Sequence, residues 1–186
     1  MRNVLMIALV AGALCAAPAL AQTGQKMGGN LAAADRTFVK EAAIGGMAEV
    51  DLGNLAKDKA SSADVKQFGD RMVTDHGKAN DELKSWAQQK NVTLPAELDA
   101  KHKATHDRLA KLSGDAFDKA YMRDMVTDHE KDVAAFKKAS TTAKDADLKA
   151  WAAKTLPTLE DHLKLARETA AKVGATGMTP KKAKKK

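Results

Sequence analysis

The sequence predicts an all-α fold, in which four long amphipathic helices and one short helix form an up-down bundle. Apolar residues recur three and four positions apart along four long segments, which is the period of a helix with one buried face. Only 4% of the 186 residues are aromatic and four are proline, and the sequence lacks the strict polar–apolar alternation of strands. These observations together favour a bundle over any fold that contains a sheet.

Five helical segments follow from this pattern, with a single domain at residues 34–173. We predict the first at about residues 35–59. The second begins at residue 63 and ends just before the break at 91–95. The other three are predicted at about 96–112, 115–139 and 145–173. The pair Gly45-Gly46 should weaken the first helix unless a close neighbour needs the room. Pro157 lies inside the last helix and is expected to kink it.

The start of the chain indicates export. Residues 1–21 have the charged start, the apolar run and the small-residue ending of a signal peptide. Cleavage there would remove Cys15, the one cysteine, and would leave no integral membrane span. We therefore expect a location in the periplasm or cell envelope.

Residues 22–33 are predicted to be a flexible leader, and residues 174–186 a disordered basic tail. The formal net charge is +7, and five lysines lie between 181 and 186. Such a tail could contact anionic lipid or cell-wall polymer. Specific nucleic-acid binding is not expected, because the rest of the chain is nearly neutral.

An internal repeat marks the candidate site. Met-Val-Thr-Asp-His occurs at 72–76 and again at 125–129, and Asp-His-x-Lys returns a third time at 161–164. Residues three apart are neighbours on a helix, so each Asp is expected to pair with its Lys on the outside while each His faces inward.

The spacing places His76 and His162 at one level of the bundle, about 15 to 16 Å from a layer that holds both tryptophans. His129 is expected about 7 to 9 Å nearer that layer, so a cluster of three histidines is not favoured. Candidate metal ligands are therefore His76 and His162 with Glu41 or Glu49 from the first helix, and His129 more remotely.

Other interpretations of these residues stay open. The histidines could be core imidazoles that are hydrogen-bonded to neighbours. The pairs Met72 with His76 and Met125 with His129 could suit copper(I), although methionine is also a common core residue. His102 and His106 form another pair four apart, which is expected on a solvated face. Nothing in the sequence resembles a nucleophilic or phosphate-binding motif, so no catalytic residue is assigned and we do not expect an enzyme.

The chain resembles an exported bacterial ferritin-like domain of unknown function, whose members are often labelled predicted outer-membrane proteins. The resemblance covers about residues 34–172. The matching blocks are residues 38–55, Met72 to Asn80, Leu94-Pro95, Ala120 to His129 and Thr155 to Leu163. It implies a ferritin-like helical bundle in the envelope without a known activity.

A standard di-iron site of ferritin-like proteins needs Glu three residues before His on two helices. The corresponding positions here are Val73, Val126 and Leu159, so that site is not expected. Two hypotheses follow. The first is a non-catalytic binding or stress-related envelope protein. The alternative is a protein that binds one iron, copper or zinc ion for storage, buffering or redox protection.

Overall fold

The computed structural model describes residues 31–175, which fold into five α-helices without a strand. The helices are α1 (Ala33–Lys59), α2 (Ala63–Gln89), α3 (Ala100–Ala110), α4 (Gly114–Thr142) and α5 (Ala146–Lys172). The prediction of an all-α bundle with four long helices and one short helix is confirmed. The predicted signal peptide, most of the leader and the lysine-rich end of the tail lie outside the described residues.

Contacts at the two ends of the bundle show that α1 and α4 are antiparallel. Asp35, at the start of α1, accepts hydrogen bonds of 2.9 Å from the backbone N–H groups of Lys144 and Asp145, just after α4. At the opposite end, Asp118 near the start of α4 accepts a bond of 2.9 Å from the backbone N–H of Ser62. The end of each helix therefore lies beside the start of the other.

Helices α2 and α5 are also antiparallel. Lys90, just after α2, pairs with Asp147 at the start of α5 at 2.8 Å, and Lys172 at the end of α5 pairs with Asp64 at the start of α2 at 3.1 Å. Short turns make the pairs α1/α2 and α4/α5 antiparallel hairpins. It follows that α2 and α4 run parallel, and residues 90–113, with α3, form the expected crossover between them.

Two apolar clusters fill the bundle, one toward each end. The first contains Phe68, Met72, Phe117, Tyr121 and Met125, and the second contains Phe38, Trp86, Phe136, Leu148 and Leu159. Trp151 packs against the second cluster, with its ring centroid 5.2 Å from that of Phe136, so both tryptophans lie at one end as expected. Burying each large side chain stabilises the fold by roughly 1.5–3 kcal/mol relative to leaving it exposed.

Glycine lets α1 and α2 approach closely. A Cβ atom added to Gly53 would lie 2.7 Å from the backbone oxygen of Gly69, and one added to Gly69 would lie 2.8 Å from that of Gly53. We predicted that a close neighbour could need the space left by the glycine pair in the middle of α1. Gly46 has such a neighbour, because a Cβ added there would lie 2.0 Å from Oδ1 of Asn80. At Gly45 no such neighbour lies within 4 Å.

Aspartate side chains accept hydrogen bonds from backbone N–H groups at the starts of α2 and α5. Ser62 is the N-cap of α2, but its own side chain makes no capping bond and Asp118 of α4 receives the backbone N–H instead. Asp145 caps α5 by accepting from the backbone N–H of Leu148 at 2.9 Å.

Pro157 lies inside α5, which continues on both sides of it. Within residues 31–175, no helix combines the length and the apolar character needed to cross a bilayer.

Candidate metal centre

Three histidines meet between the two apolar clusters. His76 is the middle residue of the 27-residue α2, His129 lies one residue past the middle of α4, and His162 lies three residues past the middle of α5. Their ring centroids are 5.3, 5.4 and 5.7 Å apart, and their exposed fractions are 6%, 0% and 1%. One nitrogen of each ring lies within 4.8 Å of one nitrogen of each other ring.

The prediction that His129 lies more than a helical turn from the other two histidines was wrong. It placed the end of the helix at about Ala139, whereas α4 continues to Thr142. The hydroxyl groups of residues 140–142 donate to carbonyls of the preceding turn, so these polar residues are accommodated within the helix. His129 is then 13 residues before the end of α4 and His162 is 16 residues after the start of α5. The difference of three residues is only about 4.5 Å along the axis, which side-chain reach closes.

Hydrogen bonds fix which nitrogen is free in two of the three rings. Nδ1 of His129 lies 2.9 Å from the carbonyl oxygen of Met125, which can only accept, so Nδ1 carries the proton. Nε2 of His162 lies 2.8 Å from Oδ2 of Asp75 and donates to that carboxylate in the same way. Among the described residues, Nε2 of His129, Nδ1 of His162 and Nε2 of His76 have no hydrogen-bond partner although all three are buried.

The electrostatic surroundings keep the three imidazoles neutral at pH 7. Burial lowers the pKa of His76 well below its ordinary value, and the other two histidines lower it further. Burial and His162 lower the pKa of His129 to about 4. Burial also lowers the pKa of His162, although Asp75 partly opposes this. Neutral imidazole is the form that binds metal ions.

A small cavity lies beside His76 and His162. It offers about 30 Å³ to a water-sized molecule, which is enough for roughly one water. Its lining also includes Gly46, Asn80 and Thr158. An ion held by the histidines would therefore have room for one small additional ligand on this side.

Asp75 does not have the role that the repeat predicted. Instead of a surface pair with Lys78, its carboxylate accepts from His162 and, at 3.2 Å, from Nε of Arg71. Asp161 likewise lies 3.9 Å from Arg71 rather than beside the lysine three positions later, as far as the described residues show. The aspartate next to His76 in sequence thus orients the histidine of a different helix.

A group of carboxylates lies next to the histidines. Glu49 is 1% exposed, and its Oε1 lies 3.9 Å from Nδ1 of His129. One oxygen each of Glu49, Asp128 and Asp132 lie within 4.8 Å of one another. The predicted pair of Asp128 with Lys131 is present at 3.8 Å. Sequence reasoning missed Asp132, although its position four residues after Asp128 puts both on one side of α4.

Burial raises the pKa of Glu49 well above its ordinary value, and the negative charges of Asp128 and Asp132 add to this. Burial and Asp128 raise the pKa of Asp132 to about 7. Neither carboxylate oxygen of Glu49 has a hydrogen-bond partner within residues 31–175. Glu49 therefore lies beside two other acids without the donors that usually accompany a buried acid.

The remaining candidate ligands lie elsewhere. Glu41 is exposed on α1 and belongs to neither group. Nδ1 of His102 lies 2.7 Å from Asp99, and Nδ1 of His106 lies 2.6 Å from Asp51, so each of these partly exposed rings has its own carboxylate.

The two methionines of the repeat are core residues. Met72 and Met125 are 0% and 1% exposed and belong to the first apolar cluster. The backbone carbonyl of Met125 accepts the hydrogen bond from Nδ1 of His129.

The chain is similar in fold to several solved structures with which it shares little sequence. A DUF305 protein of Streptomyces coelicolor, described as a candidate secreted protein, has a TM-score of 0.65 at 15% identity and covers 76% of this chain and 92% of its own. A DUF305 fragment from Deinococcus radiodurans has a TM-score of 0.67 at 11% identity, covering 76% and 98%. CopM in its Cu(II)-bound form has a TM-score of 0.63 at 19% identity, covering 74% and 96%, and is also known in Ag-bound and Cu(I)-bound forms.

No curated protein matches this sequence. Residues 20–169 match DUF4142, a domain of unknown function, which agrees with the resemblance to a domain of unknown function noted in the sequence. Because the match spans most of the 186 residues, the chain belongs to the DUF4142 family.

Proposed function

We propose that this protein binds one transition-metal ion through His76, His129 and His162. The observation that carries this proposal is the set of three buried ring nitrogens without a hydrogen-bond partner. A buried polar group left unpaired costs about 1–3 kcal/mol. A single ion coordinated by all three nitrogens would remove that cost at every ring.

The groups behind the rings support the same proposal. Ligating histidines usually donate their second ring N–H to a carboxylate or a backbone carbonyl, which sets the tautomer and the ring direction. His162 donates to Asp75, and His129 donates to the carbonyl of Met125. Both arrangements leave the other nitrogen as the lone-pair donor that a metal requires.

The site needs only a small adjustment to close around an ion. Metal–imidazole bonds are ~2.0–2.1 Å long, so two nitrogens on one ion are at most about 4 Å apart. One nitrogen of each ring already lies within 4.8 Å of one nitrogen of each of the other two rings. Small rotations of the side chains would bring them to bonding distance.

Copper is the ion that we propose. Imidazole suits copper, zinc and iron, and among divalent ions the usual order of affinity favours copper. CopM, which shares the fold, has been solved with copper and silver bound. Because the three histidines together hold a single ion, buffering or carrying copper fits better than bulk storage.

The proposed setting is the periplasm or cell envelope. The sequence of residues 1–21 supports export, as does the fold shared with a candidate secreted protein of Streptomyces coelicolor. In that setting the protein would protect envelope components by holding copper that would otherwise be free.

The test is elemental analysis of the purified protein after copper loading and removal of excess metal. The parent protein and the variants His129→Ala and His162→Ala are compared with His106→Ala, whose ring is partly exposed on α3. We expect about one copper per chain in the parent and in His106→Ala and a loss in the two core variants. Equal copper content in all four proteins, or no copper in the parent, would show that the three histidines are structural core residues and do not bind copper.

A further inference from the structure

We propose a second, separate cation site formed by Glu49, Asp128 and Asp132, which takes a hard divalent cation such as Mn²⁺ or Mg²⁺. The three side chains come from α1 and α4 and present oxygens that lie within 4.8 Å of one another. Carboxylate oxygens are the donors that such cations prefer.

Glu49 provides the observation that points to a ligand. Its side chain is 1% exposed, and both of its oxygens lack a hydrogen-bond partner in the described part of the chain. A buried carboxylate is costly unless it is paired or coordinates a metal. Its neighbours Asp128 and Asp132 are acids and bring no positive charge, and Nδ1 of His129, 3.9 Å away, already donates to the carbonyl of Met125.

The charges balance well around a divalent ion. Three carboxylates and one such cation leave a single negative charge. Lys131 lies 3.8 Å from Asp128 and offsets that charge at the edge of the group. The cation would thus turn a repulsive cluster into a stabilising link between α1 and α4.

A cleft gives this group access to solvent. Asp128 and Asp132 line a cleft of about 550 Å³ whose walls also include Glu41, Lys101 and His102. Water from the cleft could complete the six oxygen ligands of an octahedral ion, since three carboxylates supply only part of the set. Glu49 closes the buried side.

The second site does not depend on the histidine site. The oxygen of Glu49 nearest to His129 faces Nδ1, which already donates to the carbonyl of Met125. It therefore does not compete for the free Nε2 of that ring. Nitrogen donors and oxygen donors also select different metals, so the two sites can be examined one at a time.

The experiment is a titration with Mn²⁺, in which the signal of free Mn²⁺ in electron paramagnetic resonance reports binding. The parent protein is compared with Glu49→Gln, Asp132→Asn and His162→Ala. Glu41→Gln is the matched control, because Glu41 lies on the same helix and lines the same cleft outside the group. Circular dichroism of each variant checks that the helices are intact.

We expect one Mn²⁺ per chain at concentrations up to about 1 mM, with affinity reduced roughly tenfold or more in both Glu49→Gln and Asp132→Asn. Glu41→Gln and His162→Ala should bind as the parent does. The proposal is overturned if the parent binds no Mn²⁺, if the two carboxylate variants bind like the control, or if His162→Ala loses the ion as well. The last result would place the ion among the histidines.

Discussion

At the scale of single residues, Asp75 decides which nitrogen of His162 is available. Burial alone would raise the pKa of Asp75, but the hydrogen bonds from His162 and Arg71 outweigh it and lower that pKa. The ionised carboxylate therefore holds the Nε2 proton of His162 and leaves Nδ1 free. This contact crosses from α2 to α5, so it also fixes the ring direction.

We predict that Asp75→Asn weakens copper binding by about 10- to 100-fold, the usual effect of removing the partner of a ligating histidine. A competition titration against a copper chelator of known affinity measures this change. Asp161→Asn is the control, because Asp161 also lies near Arg71 but does not contact a histidine ring in the described structure. Unchanged affinity in Asp75→Asn would show that this carboxylate does not support the site.

Sequence reasoning named His76 and His162 as candidate ligands at one level of the bundle, and the structure brings these two rings together. The repeat and the helical period put His76 inside, which the structure confirms. They could not show that Asp75 turns toward His162, since contacts between helices depend on how the helices are rotated against each other. For the same reason Glu41 and Glu49, both candidate ligands from the first helix, lie in different surroundings: Glu41 is exposed and Glu49 is buried.

At the scale of helices, the close approach of α1 and α2 depends on backbone contact at two glycines. Gly53 and Gly69 each lie where a side chain would meet the carbonyl oxygen of the other helix. A backbone atom cannot move aside as a flexible side chain can. Glu49 lies one turn from Gly53, so this contact also positions the carboxylate group.

We predict that Gly53→Ala destabilises the protein by about 1–3 kcal/mol, because the added methyl group overpacks the contact. Gly45→Ala should instead stabilise it by roughly 0.5–1 kcal/mol, since that position in α1 has open space and alanine favours a helix. Urea denaturation of the two variants measures both changes. Equal effects of the two substitutions would contradict the close approach of the helices.

The error in the level of His129 arose at this scale. Helix ends are the least certain part of any prediction from sequence, and a serine and two threonines normally indicate a turn. Here their hydroxyl groups bond to helix carbonyls and α4 continues for about one more turn. The position of His129 along the bundle axis is counted from the end of α4, so the later end brings it closer to the level of the other two histidines. The cluster of three was not predicted for this reason.

At the scale of the whole molecule, the buried histidines make stability depend on pH. The pKa of His129 is about 4 in the folded protein and 6.5 as its ordinary value, so the unfolded chain binds more protons between these limits. Its contribution to stability is therefore fully present above pH 6.5 and is lost as the pH falls toward 4. Glu49 and Asp132, whose pKa values are raised, act in the opposite direction, because their carboxyl groups favour the folded state less as the pH rises.

Because these effects oppose each other, the informative quantity is a difference. We predict that the metal-free parent loses on the order of 3 kcal/mol relative to His129→Phe between pH 6.5 and 4. Urea denaturation with a chelator present, repeated across this range, gives the two free energies of unfolding. A difference that stays constant with pH would show that His129 does not titrate as its surroundings indicate.

The most direct test of the proposed metal centre is anomalous X-ray diffraction from crystals of the copper-loaded protein, recorded at the copper absorption edge. We expect one strong peak at about 2.0–2.1 Å from Nε2 of His129, Nδ1 of His162 and Nε2 of His76. A copper peak at the partly exposed His102 or His106, with nothing among the three core histidines, would contradict it.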